Sequence, residues 1–281
     1  MFENEATGNE KTRNHEAGCA MNWIDIDVLS FQYFILVFSR LASMVSFSPI
    51  IGSGAVPVQT KIGFSFLLSL IIYPIVARDL PPIPGHIILF WILLAREALI
   101  GMLIGLISSL MFSAIQLSGQ IFGMQIGFGI VNVIDPLSEE QTSLLGEFVF
   151  ILAILLFLVM DGHHVFVRII ANSYKIVPMG SFSFTEPLGM EVTRWLTKAY
   201  VIAFKIGAPM IFCLLLISAA MGIIARAVPQ MNIFIVGLPI NIFAGLFVLG
   251  ATIMLMAYLM RGYFDSAFRD IIMMLRMAGG T

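Results

Sequence analysis

The sequence predicts an all-α integral membrane protein of about six long apolar helices or hairpins, and three observations carry that reading. The first is composition. Of 281 residues, 59% are hydrophobic and 11% are charged, with a mean hydropathy of +0.98. Soluble domains carry about 25% charged residues. A soluble fold so composed leaves apolar surface uncovered, so lipid or partner subunits must cover it. The second is length: several apolar stretches reach, or nearly reach, the ~20 helical residues that cross a hydrocarbon core. The third is pattern. These runs lack the alternating faces of barrel strands, and within a bilayer a helix is the other way to satisfy every backbone polar group.

Residues 1–21 differ from the rest of the chain. They are polar, lack the apolar core of a secretory signal peptide and read as a disordered tail. Met21 opens a more typical membrane-protein start, so it is the expected native start, or else the tail is dispensable. Residues 22–281 read as a single polytopic domain. Its apolar stretches fall at 28–47, 62–77, 87–117, 144–160, 199–224 and 233–260. The second is short, and the third is long enough to tilt, kink or continue past the membrane. Turn chemistry separates them: Ser48-Pro49, Gly52, Gly54, Pro57, the cluster Pro81-Pro82-Ile83-Pro84-Gly85, Asp135-Pro136 and Pro229.

Positive charge sets the expected orientation. Both termini, Arg78 and the segment from Arg168 to Lys198 share one face, read as cytoplasmic, whereas Lys61 and Arg226 fall on the other. A formal net charge of -2 gives no reason to expect nucleic acid as a partner. Cys19 and Cys213 lie far apart and offer neither a disulfide framework nor metal-ligand spacing.

Five charges lie in or at the edge of apolar runs: Arg40, Arg96, Glu97, Glu147 and Lys205. An unpaired charge there is expensive, so each is expected to have a partner or to reach water. A transporter would use them as an ion path. An assembly subunit would pair them across helices or with its neighbours, and three cations beside two carboxylates suit pairing.

Glycine is the most unusual feature. Gly119, Gly123 and Gly127 recur every fourth residue, as do Gly101 and Gly105 before them. On a helix this spacing lines one face with glycine and lets neighbouring backbones approach closely. A sharper reading makes Gly127, Phe128 and Gly129 a break at membrane depth, tolerated only in protein or beside a cavity. The next run, Ile130-Val131-Asn132-Val133-Ile134-Asp135-Pro136, is apolar, β-branched and closed by a turn, as a deformable pore seal would be. Met124, flexible and adjacent, is the methionine expected to take part in gating.

Catalytic chemistry is not expected. Asp161-Gly162-His163-His164 is the one place to argue a metal or a general base. Adjacent histidines point to different sides of a helix, whereas helical ligand pairs stand four apart. An interfacial turn explains that segment better. The sequence has no GxSxG, P-loop or HExxH motif, and no cofactor is called for.

Two motifs resemble a known family. The run from Gly119 through Gln120, Gly123, Gln125, Gly127 and Phe128 to Asp135-Pro136 is similar to the glycine-rich stretch of the FliR family of type III export-gate subunits. The later run, Arg226 through Pro229-Gln230 and Phe234 to Gly237 and Pro239, resembles that family's Pro-Gln signature. Ser48-Pro49, Gly52, Pro57 and Gly162-His163 fit the same pattern, and Ile126, where methionine is frequent, departs from it. The resemblance covers roughly Met21 to the end. It implies a FliP-like portion followed by a FliQ-like helical hairpin at about 199–260, with a glycine-rich re-entrant loop. It further implies a channel subunit that is not an enzyme, in the inner membrane at the flagellar basal body. That subunit would assemble with FliP-like and FliQ-like subunits beside FlhB-like and FlhA-like proteins, passing unfolded export substrates. The pore plug then falls at about 124–136, with Met124, Gly127, Phe128, Gly129, Ile130, Val133, Asp135 and Pro136 as its residues.

The alternatives are the equivalent subunit of a virulence-type secretion system and, from another class, a secondary transporter. A transporter predicts matched broken helices in an inverted repeat. One glycine-rich break and one Pro-Gln turn do not make such a pair.

Overall fold

The computed structural model describes residues 22–76, 86–128, 143–227 and 233–279. Among them are seven α-helices: α1 (Asn22–Phe47), α2 (Val58–Val76), α3 (Ile87–Ile126), α4 (Leu144–Val159), α5 (Gly162–Ile176), α6 (Glu186–Ala227) and α7 (Ile233–Ala278). No strand occurs among the described residues. Five helices are long and apolar enough to cross a membrane, or six if α4 and α5, bent by 71° at a short break, count as one span.

α3 is the mast on which the others pack. Its 40 residues give a rod of about 60 Å, roughly twice the ~30 Å hydrocarbon thickness. α1 runs parallel to its first half: Arg40 meets Glu97 and Gly101, and Phe47 lies against Gly105. α4 runs antiparallel along its second half, with Gly119 against Leu145 and Phe112 against Phe157. α2 folds back on α1 through edge-on contacts of Phe34 with Phe66 and Tyr73. α6 and α7 form a long antiparallel hairpin along the rod. Lys198 is bonded to Asp270 towards one end of that hairpin, and Met221, Leu238 and Asn241 share a cavity at the other.

Close packing of the rod rests on absent side chains. A methyl group at Gly101 would fall 2.0 Å from the Arg40 carbonyl oxygen, and one at Gly119 would fall 2.7 Å from that of Leu145. Either would push its partner helix away. At mid-height Phe112, Phe157 and Phe264 form an aromatic node, with ring centroids 5.4, 5.4 and 5.7 Å apart. Offset and edge-on aromatic contacts of this kind each add about 0.5–1.5 kcal/mol beyond their area.

Local signals explain the helix ends. Ser143 caps α4, its Oγ accepting the Gly146 N–H at 3.2 Å. α3 stops at Gly127, whose φ of 112° only glycine adopts without strain. There Phe128 N–H donates to the Gly123 carbonyl and Gly127 N–H to that of Met124, the paired bonds of a Schellman end. Asp161, at φ 55°, turns the chain from α4 into α5.

Hydropathy undershoots five helices, α3, α6 and α7 by the most. The stretch at 87–117 continues to Ile126, 199–224 begins at Glu186, and 233–260 runs on to Ala278. Helix α5 has no counterpart among the apolar stretches. The added turns of α6 and α7 carry Glu186, Arg194, Arg261, Asp265 and Arg269, and that of α3 carries Ser118, Gln120 and Gln125, so they are less apolar than the stretches they extend and escape an average hydropathy. The expected tail, residues 1–21, lies outside the described residues.

Candidate functional site

The tip of the rod is built by three helix ends. α3 ends at Gly127, α6 ends at Ala227, and α7 begins at Ile233. Ile126 is fully buried and fills the space that a side chain at Gly245 would need, a methyl group there falling 2.5 Å from it. Leu238 closes over Gly127. Met124 is on the outside, 63% exposed. Between these ends lies a cavity of about 380 Å³ lined by residues that include Met124, Gly127, Ser218, Met221, Leu238 and Asn241. The buried Asn241 Oδ1 makes no hydrogen bond among the described residues.

The glycines of α3 both admit a neighbouring helix and end the rod. Gly119 and Gly123 admit the start of α4, a methyl group at Gly123 falling 2.9 Å from Ser143 Oγ. Gly127 ends the helix. Of the other residues expected to form a plug, Phe128 is partly buried against the core. Gly129, Ile130, Val133, Asp135 and Pro136 lie outside the described residues, as do Pro229 and Gln230. Arg226 stands in the last turn of α6. Pro239 is inside α7 rather than in a turn, a placement that membrane helices tolerate because neighbours satisfy the freed carbonyl.

The five charges separate into two groups. Arg40 and Glu97 are buried inside the chain, at 1% and 0% exposure, and pair at 2.7 Å. The guanidinium also donates to Ser173 Oγ at 3.1 Å and to the Val177 carbonyl at 3.2 Å, and it lies 4.0 Å above the Tyr174 ring. Glu97 Oε1 accepts the Gly180 N–H at 3.2 Å. Every strong group of the pair thus has a partner, which a buried ion pair requires. By contrast, Arg96, Glu147 and Lys205 sit on the exterior of the chain, which does not itself bury them. Arg96 donates to the Gly180 carbonyl at 2.8 Å, and Glu147 accepts from Gln116 at 3.3 Å. Lys205 makes no ion pair among the described residues.

Sequence reasoning missed a second polar contact. Lys198 bonds Asp270 and Ser266 and lies 4.8 Å from the Trp195 ring centroid, joining the two helices of the long hairpin. Nothing in two isolated charges 72 positions apart announces it.

The histidine corner also differs from expectation. His163 and His164 do not point apart: their ring centroids lie 4.2 Å from each other with the planes inclined by 39°, and with Asp161 they bring three donor atoms within 4.8 Å of one another. The left-handed Asp161 starts the helix just before them. All three are exposed at a helix N-terminus, where the partial positive charge opposes a cation.

Together these features define a polytopic helical membrane protein whose central rod ends in a glycine-made break beside a cavity. The chain belongs to the family of bacterial export proteins, family 1, whose model matches residues 31–267. Its relatives include the flagellar biosynthetic protein FliR of Bacillus subtilis (strain 168), 32% identical over 256 residues, which are 89% of this chain and 96% of that one. The protein of the same name from Escherichia coli (strain K12) is 30% identical over 240 residues, 83% of this chain and 90% of its own. That of Pectobacterium carotovorum is 29% identical over 248 residues, covering 88% and 92%.

Proposed function

We propose that this chain is a subunit of the flagellar type III protein export gate in the bacterial inner membrane, at the base of the flagellum. With FliP-like and FliQ-like subunits, beside FlhB-like and FlhA-like proteins, it forms the conduit for unfolded flagellar proteins. The observation that carries this reading is the end of α3. A long apolar rod terminates at a left-handed glycine beside a cavity shared with the long hairpin, and an apolar β-branched segment comes next in the chain. Helix length supports assembly. α6 and α7, at 42 and 46 residues, are about twice what a bilayer covers. Their outward Phe212, Phe243 and Phe247 therefore need protein neighbours as well as lipid. The flagellar relatives favour the flagellar system over its virulence counterpart.

The mechanism is steric and hydrophobic. When the gate is closed, Phe128, Ile130 and Val133 exclude water and ions. A translocating chain displaces them, and glycine supplies the backbone freedom. No bond is made or broken in this chain, so energy comes from partners or from the proton-motive force. Deleting three or four residues within 128–133 should raise ion leakage through the co-assembled complex, measured as sodium- or proton-dependent growth arrest. Unchanged leakage from a correctly assembled complex refutes the gate. Co-purification of FliP-like and FliQ-like proteins tests the assembly independently.

A further inference from the structure

A second cavity, of about 270 Å³, is an open groove along the half of α3 nearer the tip. Ser113, Gln116 and Gln120 of α3 form its floor, and Leu196, Ala199 and Tyr200 of α6 form a wall. Glu147 of α4 borders it, accepting from Gln116 Nε2 at 3.3 Å.

The floor belongs to a longer stripe. Helical spacing puts Trp91, Leu99 and Leu106 on one side of α3, and the same side continues through Ser109, Ser113, Gln116 and Gln120 to Met124. None of these residues is buried. The first part is apolar. The second, about 16 Å from Ser109 to Gln120, is polar and uncharged. One side of one helix therefore changes its chemistry part-way along. Ser109 Oγ donates to the Leu106 carbonyl at 2.8 Å. The Ser113 hydroxyl and the Gln120 amide make no hydrogen bond among the described residues. Lipid tails or an apolar neighbour would leave both unpaired, at a cost that water removes. Exposed residues on the flanking helices, Phe148 and Ile151 of α4 and Val201 and Phe204 of α6, are apolar. The stripe also leads to the tip, because Met124 at its end lines the cavity beside Gly127.

We infer that this stripe lines the water path of the conduit, and that the passing unfolded chain moves over Ser113, Gln116 and Gln120. The side chains suit that partner. Hydroxyls and amides both donate and accept, so they can bond the backbone of any sequence. Being neutral, they hold charged segments less tightly than ionised groups would.

The inference rests on the export-gate reading, and the experiment separates the two. Ser113→Cys and Gln120→Cys, with Leu99→Cys and Phe204→Cys as apolar references, are made in a chain carrying Cys19→Ser and Cys213→Ser. Each is co-assembled with the FliP-like and FliQ-like proteins in lipid nanodiscs. A membrane-impermeant cationic methanethiosulfonate is added, and labelling is followed by intact-mass spectrometry. Labelling at positions 113 and 120 is expected to be about tenfold faster than at 99 and 204, since thiol reactivity follows access to water. In cells, p-benzoylphenylalanine in place of Gln120 should cross-link a flagellar export substrate stalled by a folded C-terminal domain. Equal labelling rates at 113 and 99 overturn the lining while leaving the assembly intact. Cross-links from position 120 to a partner subunit in place of the substrate do the same. Failure of the unsubstituted chain to co-purify with FliP-like and FliQ-like proteins overturns the export-gate reading and the inference with it.

Discussion

Two helices of this chain bury opposite kinds of residue. α2 turns Ser65, Ser69 and Ile72 inward and presents Phe66, Leu67, Leu70, Ile71 and Ile75 to the outside. Its serines return their hydroxyls to carbonyls one turn back, Ser65 to Lys61 and Ser69 to Ser65, so small and locally satisfied residues make the helix contact. The final third of α7 does the reverse. Phe264, Ala267, Ile271, Met274 and Leu275 are buried, while Arg261, Asp265, Arg269 and Arg276 face outward. α2 is folded for apolar surroundings, where packing of small residues holds helices together. The end of α7 is folded for water, where burying an apolar stripe does so. One chain therefore carries an apolar outward face on α2 and a charged one on the end of α7.

The largest expected effect tests what holds the first region to the rest. Arg40 ties α1 to α3, α5 and the loop after it. Arg40→Met alone strands the Glu97 carboxylate, at a cost of about 3–5 kcal/mol. It should abolish recovery of folded protein in mild detergent. The pair Arg40→Met with Glu97→Leu should recover much of that yield, since two apolar residues leave no orphaned charge.

A direct contrast of the two outer faces comes next. Leu70→Arg, near the middle of α2, should cost about 2.5–3.5 kcal/mol of insertion free energy, read as a drop in the membrane-integrated fraction. Met273→Arg on α7 exchanges a residue of similar exposure, 47% against 51%, and should shift thermal stability by no more than about 0.5 kcal/mol. Equal effects at the two positions would break the comparison.

The smallest effect sharpens it. Asp270→Asn removes a partly exposed ion pair with Lys198 and should cost at most about 1 kcal/mol. It should lower the melting temperature of the purified chain slightly and leave insertion unchanged.

Legibility in the sequence divides along the same line. The apolar regions announce themselves, because residues such as Leu67 or Ile92 have no reason to occur in unbroken runs unless water is absent. Gly101, Gly105, Gly119 and Gly123 are legible as contact positions from spacing alone, and Gly127 as a break from its neighbours Phe128 and Gly129. Arg40 and Glu97 are legible as charges needing partners but not as partners of each other. Arg96, one residue away from Glu97, looks equivalent in sequence and lies on the exterior. Helix phase decides between those two, and phase is fixed by how α1 seats in the glycine groove of α3. The aromatic node of Phe112, Phe157 and Phe264 is invisible in sequence for the same reason: its members come from three helices.

By itself, then, the sequence determined the medium, the helical class, the places where helices meet closely and the family. These depend on composition and local spacing, which each residue carries with it. Only the tertiary structure decided the direction of each helix, the pairing of charges, the apposed histidines and the two cavities. Those depend on which faces meet across long separations in the chain, and packing selects among faces that are locally alike.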